Sequence, residues 1–160
     1  MTTASERLKA LGFVLPPPTL THFSYLPTLR YGNTVHVAGQ IPKTSVDTLL
    51  VQGCLGEGVS EEAAREAVRL CILHALSWVD HLARVNLNDV KQILRVNYYF
   101  QVGVDASQRL SAIADAGSDL LVGIFGRHGA HPRSVIGVRE LPRNAPVLLD
   151  TDVAMDSRCK

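Results

Sequence analysis

The sequence predicts an α+β domain, in which two helices pack on one face of a mixed β-sheet. Along the chain, the predicted elements come in the order strand, strand, helix, strand, helix, strand, strand. Two helices separated by one strand are too few to cover both faces of a sheet of roughly four to six strands, so we expect them on one face. An apolar face left bare implies a partner, and a copy of the same chain is the simplest one. The pattern therefore also predicts a closed homo-oligomer.

Length and composition describe one ordinary globular domain. A chain of 160 residues is long enough to bury its own core. Its hydrophobic content of 46% and charged content of 19% exclude an intrinsically disordered chain. We treat residues 1–160 as a single domain, with residues 1–19 as a leader segment that begins as a short helix or a frayed end. Residues 155–160 are expected to form a loose tail.

Charge and cysteine content exclude several classes of protein. The net charge of +1, with neither a basic stripe nor a basic tail, gives no electrostatic case for nucleic acid or an acidic membrane. The three cysteines, Cys54, Cys71 and Cys159, lack metal-ligand spacing and cannot all pair, which fits a reducing compartment. The chain opens without a signal-peptide pattern and no segment approaches membrane-spanning length. We expect a cytoplasmic protein.

The first two strands are predicted to form a hairpin. Gly32-Asn33 is a turn signal between a short strand and a second strand from Thr34 to Ala38. Alternation places Val35 and Val37 on one face of the second strand, and His36 and Ala38 on the other.

The first long helix is predicted over residues 61–82. Ser60 is a good N-cap, and apolar residues recur behind it at helical spacing. Cys71 lies on this apolar stripe, which favours a small core residue over a nucleophile. His74 and His81 lie off the stripe, so we expect both to be solvated.

A third strand, residues 90–101, and a second helix, residues 105–124, follow. Strict alternation sorts the side chains of this strand into two opposite sets: Leu94, Val96, Tyr98 and Phe100 on one face, and Ile93, Arg95, Asn97 and Tyr99 on the other. Large residues in both sets predict that both faces are covered. The pair Gly117-Ser118 inside the helix predicts a bend. A last strand, residues 147–154, carries Asp150 and Asp152 on one face.

The stretch 125–142 is the candidate functional segment. A glycine-flanked loop leads into a β-branched run from Val135 to Val138. Arg133 stands where this strand begins, and a guanidinium there matches a carboxylate or phosphate in a cleft. Taken alone, the stretch favours a surface arginine at a strand end over such an anchor. His128 and His131 are too few ligands for a metal site, so no metal is expected.

Four separated pieces of the sequence together match one family. They are Tyr25 placed seven residues before Gly32-Asn33, the strand end Ala38-Gly-Gln-Ile-Pro42, Pro132-Arg-Ser134 opening a strand, and Leu141-Pro142 soon after it. With the order of helices, they resemble the YjgF/Rid family, also called the reactive-intermediate deaminase or L-PSP endoribonuclease family. The resemblance covers residues 20–154. It implies a chorismate-mutase-like fold and a homotrimer, in which three sheets form a barrel and ligand clefts lie between subunits.

The resemblance also implies roles for particular residues. Arg133 occupies the position that clamps a substrate carboxylate in the deaminases, and Tyr25 the position that lines the cleft. Asp150 is placed as the acid that assists the attacking water, and Ser118 as a polar residue contributed by the second helix. Ala38 and Gly39 form the pocket wall in place of the usual Ser-Gly.

The sequence departs from the deaminase pattern in three ways, one of which is that His131-Pro132 precedes Arg133 at the Ala-Arg-Ser motif of the family. Ala38 lacks the usual hydroxyl, and Asp150 is one methylene shorter than the usual glutamate. A catalytic group displaced by about 1 Å can lose on the order of a hundredfold in rate. His131 stands two residues before Arg133 and is either a replacement general acid or base, or a packed or solvated histidine.

Three functions follow from the residues and the resemblance. The first is a small-molecule enzyme that hydrolyses 2-imino acids to 2-keto acids and ammonia, for which no cofactor is needed. The second is a non-catalytic binder of a small carboxylate metabolite. The third, an endoribonuclease or translation inhibitor, is disfavoured by the near-neutral charge and the lack of an aromatic-basic platform. The expected partners are a small carboxylate and further copies of the chain.

Overall fold

The computed structural model describes residues 1–20, 22–81, 85–104 and 109–156. Within these ranges, the helices are α1 (Ala4–Ala10), α2 (Glu61–His81) and α3 (Leu110–Phe125). The strands are β1 (Thr28–Tyr31), β2 (Thr34–Gln40), β3 (Cys54–Leu55), β4 (Gly58–Val59), β5 (Val90–Gln101), β6 (Arg133–Val138) and β7 (Val147–Met155). Apart from α1 and the short pair β3–β4, this is the predicted order of elements.

The main sheet is mixed, as predicted. Its strands lie in the order β1-β2-β7-β5-β6, and β3 and β4 form a separate small ribbon. All neighbours in the main sheet are antiparallel except β5 and β6, which are parallel. The β1–β2 hairpin closes at Gly32, whose φ of 59° is a left-handed conformation that glycine adopts without strain.

Both long helices pack on one face of this sheet and bury a continuous apolar core. Val35 and Val37 contribute from β2, and Val96, Tyr98 and Phe100 from β5. These side chains share the helix-facing side because strand side chains alternate in direction. The α+β architecture with a mixed sheet and helices on one face is therefore confirmed.

Helix α2 is buried on more sides than its apolar stripe predicts. Ser60 caps the helix as expected, since its Oγ accepts a hydrogen bond from the amide of Ala63 at 3.2 Å. The prediction of a solvated His74 is wrong, because its side chain is only 6% exposed. A loop covers it, and His74 Nε2 lies 2.8 Å from the carbonyl oxygen of Lys43. His81, the last residue of α2, is exposed as expected.

Strand β5 does not follow strict alternation in its first half. Ile93 is 1% exposed whereas Leu94 is 38% exposed, the reverse of the predicted faces. The pairing of β5 with β7 shifts register between Val90 and Gln92 and again between Ile93 and Arg95. Such irregularities insert an extra residue and turn the following side chains to the other face. From Val96 onward the predicted faces are correct.

The sheet face away from the helices is not the bare apolar surface that was expected. A band of polar pairs crosses it, formed by residues that face one another on neighbouring strands. Asn97 Nδ2 donates to Asp150 Oδ1 at 2.8 Å, and His36 Nδ1 lies 2.7 Å from Asp152 Oδ1. Asp150 and Asp152 do share this face, as the alternation of β7 predicts. The face is therefore mixed in character.

Both ends of the described chain are packed. Helix α1 begins at a capping box formed by Thr3 and Glu6 and buries Ala4 and Leu8. Met155 is the last residue of β7 and only 3% exposed, so a loose tail starting there is wrong. Residues 157–160, residues 82–84 at the predicted end of the first long helix, and residues 105–108 at the predicted start of the second lie outside the described residues. In the parts of the chain that are described, no helix combines the length and apolar character needed to cross a bilayer.

Candidate functional site

Arg133 is the centre of a polar cluster between β6 and α3. As the first residue of β6 it pairs in register with Val96, so it points to the helix side of the sheet. Its Nη1 donates to Ser118 Oγ at 2.9 Å, and its Nη2 donates to the carbonyl oxygen of Ser111 at 3.1 Å. The same Nη2 lies 2.8 Å from Asp115 Oδ1. Helix α3 therefore holds the guanidinium through three residues spaced along one of its faces.

His131 contacts the same hydroxyl. Its Nδ1 lies 2.6 Å from the carbonyl oxygen of Gly129, and its Nε2 lies 3.3 Å from Ser118 Oγ. A carbonyl oxygen only accepts, so Nδ1 carries the proton of the neutral ring and Nε2 presents a lone pair. Ser118 then donates to Nε2 while it accepts from Arg133. Burial lowers the pKa of His131, and the Arg133 charge also lowers it, against the opposite effect of the Gly129 hydrogen bond. The neutral ring is thus the form that this environment favours.

Tyr98 and Gly117 form the wall behind this cluster. A Cβ atom on Gly117 would lie 2.7 Å from Tyr98 Oη and 2.9 Å from Val68 Cγ1, so only glycine lets α3 approach the sheet this closely. Burial raises the pKa of Tyr98 to about 12, while the neighbouring Ser118 and Arg133 act in the opposite direction. The phenol therefore stays neutral at physiological pH. Gly117 serves this close approach inside a continuous helix α3.

A second candidate site, which we call the cavity, is a pocket separate from the Arg133 cluster. It has a volume of about 580 Å³, within the usual range for small-molecule sites. Tyr25, Ala38 and Gly39 all line it, together with Leu148 from β7. Its lining is mainly apolar. Arg133 is not among the residues that line it.

Asp150 lies with neither of these two groups. It sits on the open face of the sheet, opposite to the face from which Arg133 projects. Burial raises the pKa of its carboxyl group, the hydrogen bond from Asn97 lowers it, and the nearby Asp152 raises it. Within one chain, Asp150 therefore cannot orient a water molecule beside Arg133.

Comparison with known proteins places the chain in a family. A model of the YjgF/chorismate-mutase-like, putative endoribonuclease family matches residues 5–151. The chain belongs to the YjgF family. Protein TCP17 of Trypanosoma cruzi is 30% identical over 154 residues, which cover 96% of this chain and 94% of that protein.

Two solved structures resemble this YjgF chain over nearly their whole length. A protein of unknown function from Agrobacterium tumefaciens is 28% identical with a TM-score of 0.85, and covers 96% of this chain and 92% of its own. A putative endoribonuclease from Shewanella oneidensis is 29% identical with a TM-score of 0.87, and covers 96% of this chain and 99% of its own. The family and the fold suggested by the sequence motifs are thereby confirmed.

The structure of the YjgF chain sorts the predicted site residues into three places. Arg133, His131 and Ser118 converge on one hydroxyl at the β6–α3 edge. Tyr25, Ala38 and Gly39 line the cavity. Asp150 occupies the open sheet face. The roles assigned to these residues remain predictions.

Several residues around these places were not singled out from the sequence. The sequence contains a pattern that could have identified Asp115, because Ser111, Asp115 and Ser118 recur at helical spacing and share a face. Lys43 and Arg143, which line the cavity, have no comparable signal. Each follows a proline in a loop, and only tertiary folding brings the two loops together.

Proposed function

We propose that this YjgF chain is a hydrolytic deaminase that converts 2-imino acids, or their enamine tautomers, to 2-keto acids and ammonia. The observation that carries the proposal is the convergence of Arg133 and His131 on Ser118 Oγ, at 2.9 and 3.3 Å. This places a carboxylate-binding cation beside a neutral imidazole whose Nε2 lone pair accepts from the Ser118 hydroxyl. A carboxylate anchor and a proton acceptor are the two groups that imine hydrolysis needs.

Arg133 is the proposed anchor for the substrate carboxylate. Two parallel hydrogen bonds to a carboxylate use Nη2 together with either Nη1 or Nε. Nη2 already contacts the Ser111 carbonyl oxygen and Asp115. A bidentate substrate therefore displaces Asp115, whose side chain is 54% exposed and can move into water. Binding the substrate exchanges one carboxylate for another.

His131 is the proposed proton acceptor. Water attacks the carbon of the C=N bond and gives a proton to Ser118 Oγ, which passes its own proton to His131 Nε2, while the π electrons of C=N move to nitrogen. The protonated imidazole then returns a proton to that nitrogen. The carbinolamine hydroxyl then gives up its proton and the amine nitrogen gains one, so that collapse forms the C=O bond, breaks the C–N bond and releases ammonia. The reaction consumes one water molecule and needs no redox partner.

The complete cleft is proposed to lie between copies of the chain. The Arg133 cluster and the cavity are separate within one chain, as expected if two subunits each supply one part. Large apolar side chains that line the cavity are exposed, namely Leu20, Phe23 and Tyr25. Such side chains mark an association surface. A homotrimer of the kind implied by the family resemblance would pair each Arg133 cluster with a neighbouring cavity.

A non-catalytic binder is the second candidate, and one specific observation favours it. The acid expected to assist water, Asp150, is hydrogen-bonded by Asn97 on the far face of the sheet. If His131 does not replace it, the site retains a carboxylate anchor without a water-activating group. The protein would then hold a small carboxylate without turnover.

One assay separates these candidates. An amino-acid oxidase generates the 2-imino acid in the presence of the full-length chain, and release of keto acid is compared with the spontaneous rate. We expect the unaltered chain to accelerate keto-acid release. Arg133→Ala and His131→Ala should lose most of this acceleration, and Arg139→Ala should keep it. Arg139 is the matched control, because it is an exposed arginine just beyond the end of β6.

Each alternative gives a different result in the same experiment. Thermal stabilisation by keto acids without acceleration of imine hydrolysis would establish the binder and refute the deaminase. Salt-dependent cleavage of RNA that requires none of these residues would favour the ribonuclease. Sedimentation or light scattering gives the oligomeric state, and a strict monomer would contradict the shared cleft.

A further inference from the structure

Two cationic side chains line the cavity. Lys43 and Arg143 both line it, beside the apolar Phe23, Tyr25 and Leu148. None of the described residues that line the cavity is acidic. In the described part of the chain, no ion pair joins either cation to a carboxylate. Lys43 is half-buried and Arg143 is exposed, so an anion that enters the cavity can reach both charges.

A buried side chain fixes the position of Lys43. His74 lies on α2, is only 6% exposed, and its Nε2 donates to the carbonyl oxygen of Lys43 at 2.8 Å. The backbone of Lys43 is further held by its amide, which donates to the carbonyl oxygen of Ile41 at 2.8 Å. The lysine is thus presented from a rigid backbone.

A second buried side chain fixes the turn that carries Arg143. Gln101, 3% exposed, accepts a hydrogen bond from the amide of Leu141 at 2.8 Å and donates to Asn144 Oδ1. Gln52 Nε2 donates to the carbonyl oxygen of Arg143 at 2.8 Å. The turn is therefore clamped from the core on one side and from a loop on the other.

This turn holds a backbone conformation that its residues do not favour. Arg143 has a φ of 60° and Asn144 a φ of 58°, both in the left-handed region. Asparagine visits this region readily but arginine does not. Non-glycine residues kept in such conformations by their surroundings cluster at ligand sites. Here the conformation places the Arg143 side chain at the cavity, where its Nη1 also donates to the carbonyl oxygen of Val46 at 3.0 Å.

We propose that Lys43 and Arg143 form an anion-binding subsite, which takes the phosphate or carboxylate head of a small ligand whose apolar body lies against Phe23, Tyr25 and Leu148. Within one chain, the subsite is separate from the Arg133 cluster, which does not line the cavity. It stands whether or not the chain hydrolyses imines.

The electrostatics of the two cations agree with this assignment. Burial lowers the pKa of Lys43, and the positive charge of Arg143 lowers it further. The two cations therefore lie close enough to repel each other. An anion bound between them would remove that repulsion and favour the charged lysine.

The test measures the binding of four probes to the full-length chain by NMR or calorimetry. The probes are phenyl phosphate, benzoate, benzyl alcohol and inorganic phosphate. We expect one or both aromatic anions to bind at least tenfold more tightly than benzyl alcohol, and inorganic phosphate to bind more weakly than phenyl phosphate. The ratio of phenyl phosphate to benzoate affinity then decides which head group the subsite takes.

Variants locate the binding. Lys43→Met and Arg143→Asn should each weaken binding of the preferred anion at least fivefold and leave the affinity for benzyl alcohol unchanged. Lys9→Met and Arg139→Met should change neither affinity. Asparagine is chosen at position 143 because it tolerates the left-handed conformation. Lys43→Gln serves as a second variant if Lys43→Met does not fold.

Two outcomes would overturn the subsite. One is equal affinity for the anions and benzyl alcohol. The other is loss of anion binding in Arg133→Ala but not in the cavity variants, which would place the anion on the β6–α3 cluster. Binding that depends on Lys43, in a chain that does not accelerate imine hydrolysis, would support the subsite while refuting the deaminase.

Discussion

Replacing Asp115 by asparagine should open the Arg133 anchor at little cost in stability. The change removes the negative charge that lies 2.8 Å from Arg133 Nη2 and keeps an oxygen that can accept a hydrogen bond. Because the two side chains are 24% and 54% exposed, the ion pair stabilises the fold by only about 0.2–1 kcal/mol. A carboxylate ligand no longer has to displace that pair. The same energy then appears as about 1.5- to 5-fold tighter binding.

The assay is calorimetric titration of a 2-keto acid such as pyruvate into the unaltered chain and Asp115→Asn, with a thermal melt of each. Asp119→Asn is the matched control, since Asp119 carries the same charge on the exposed surface of α3 without an ion pair to Arg133. We expect tighter binding only in Asp115→Asn, and a fall in Tm of less than about 4 °C. Weaker binding in Asp115→Asn would refute displacement, because Asp115 would then be needed to hold Arg133 in its binding position.

Three further outcomes follow from the structure. Gly117→Ala should lower the free energy of unfolding by about 1–2 kcal/mol in denaturant titrations. The new methyl group would lie 2.7 Å from Tyr98 Oη, and the gain in helix propensity offsets only part of this overpacking. An unchanged midpoint would show that α3 shifts to make room for the methyl group. The kcat/KM for imine hydrolysis should fall towards low pH as His131 is protonated, with a midpoint below the ordinary histidine value of about 6.5, because burial lowers the pKa of His131 and the proposed base is the neutral ring. A midpoint above pH 7 would exclude His131 as that base. Gln101→Leu should lower the free energy of unfolding by about 1–3 kcal/mol in the same titrations, because the Leu141 amide loses its buried acceptor. The same change should weaken phenyl phosphate binding. Full affinity would show that the turn holds Arg143 in place without Gln101.

The sequence predicted those parts of the fold that depend on local periodicity. Alternation grouped Val35 with Val37 in β2 and Asp150 with Asp152 in β7 correctly, because neither pair spans an extra residue. In β5, the same rule put Ile93 and Leu94 on the wrong faces. A bulge is set by pairing with a neighbouring strand, which counting along one strand does not reveal.

The candidate site was accessible to sequence reasoning only in part. The position of Arg133 at a strand start is a local feature and was predicted, as was the turn at Gly32. The burial of His74 and the meeting of Lys43 with Arg143 depend on loops from distant parts of the chain covering α2 and the cavity. Helical spacing indicated that Asp115 shares a face with Ser118, but not that Arg133 lies opposite that face.

Strand β5 sets the distance between the two candidate sites. Tyr98 stands behind the Arg133 cluster and Gln101 holds the Arg143 turn, and both belong to β5, three residues apart. At about 3.3 Å per residue, they are fixed roughly 10 Å apart along a strand paired on both sides. A slip of β5 by one residue would turn both side chains to the opposite faces of the sheet. Insertions in this part of β5 should therefore abolish both sites together, whereas insertions in the loops should affect them one at a time.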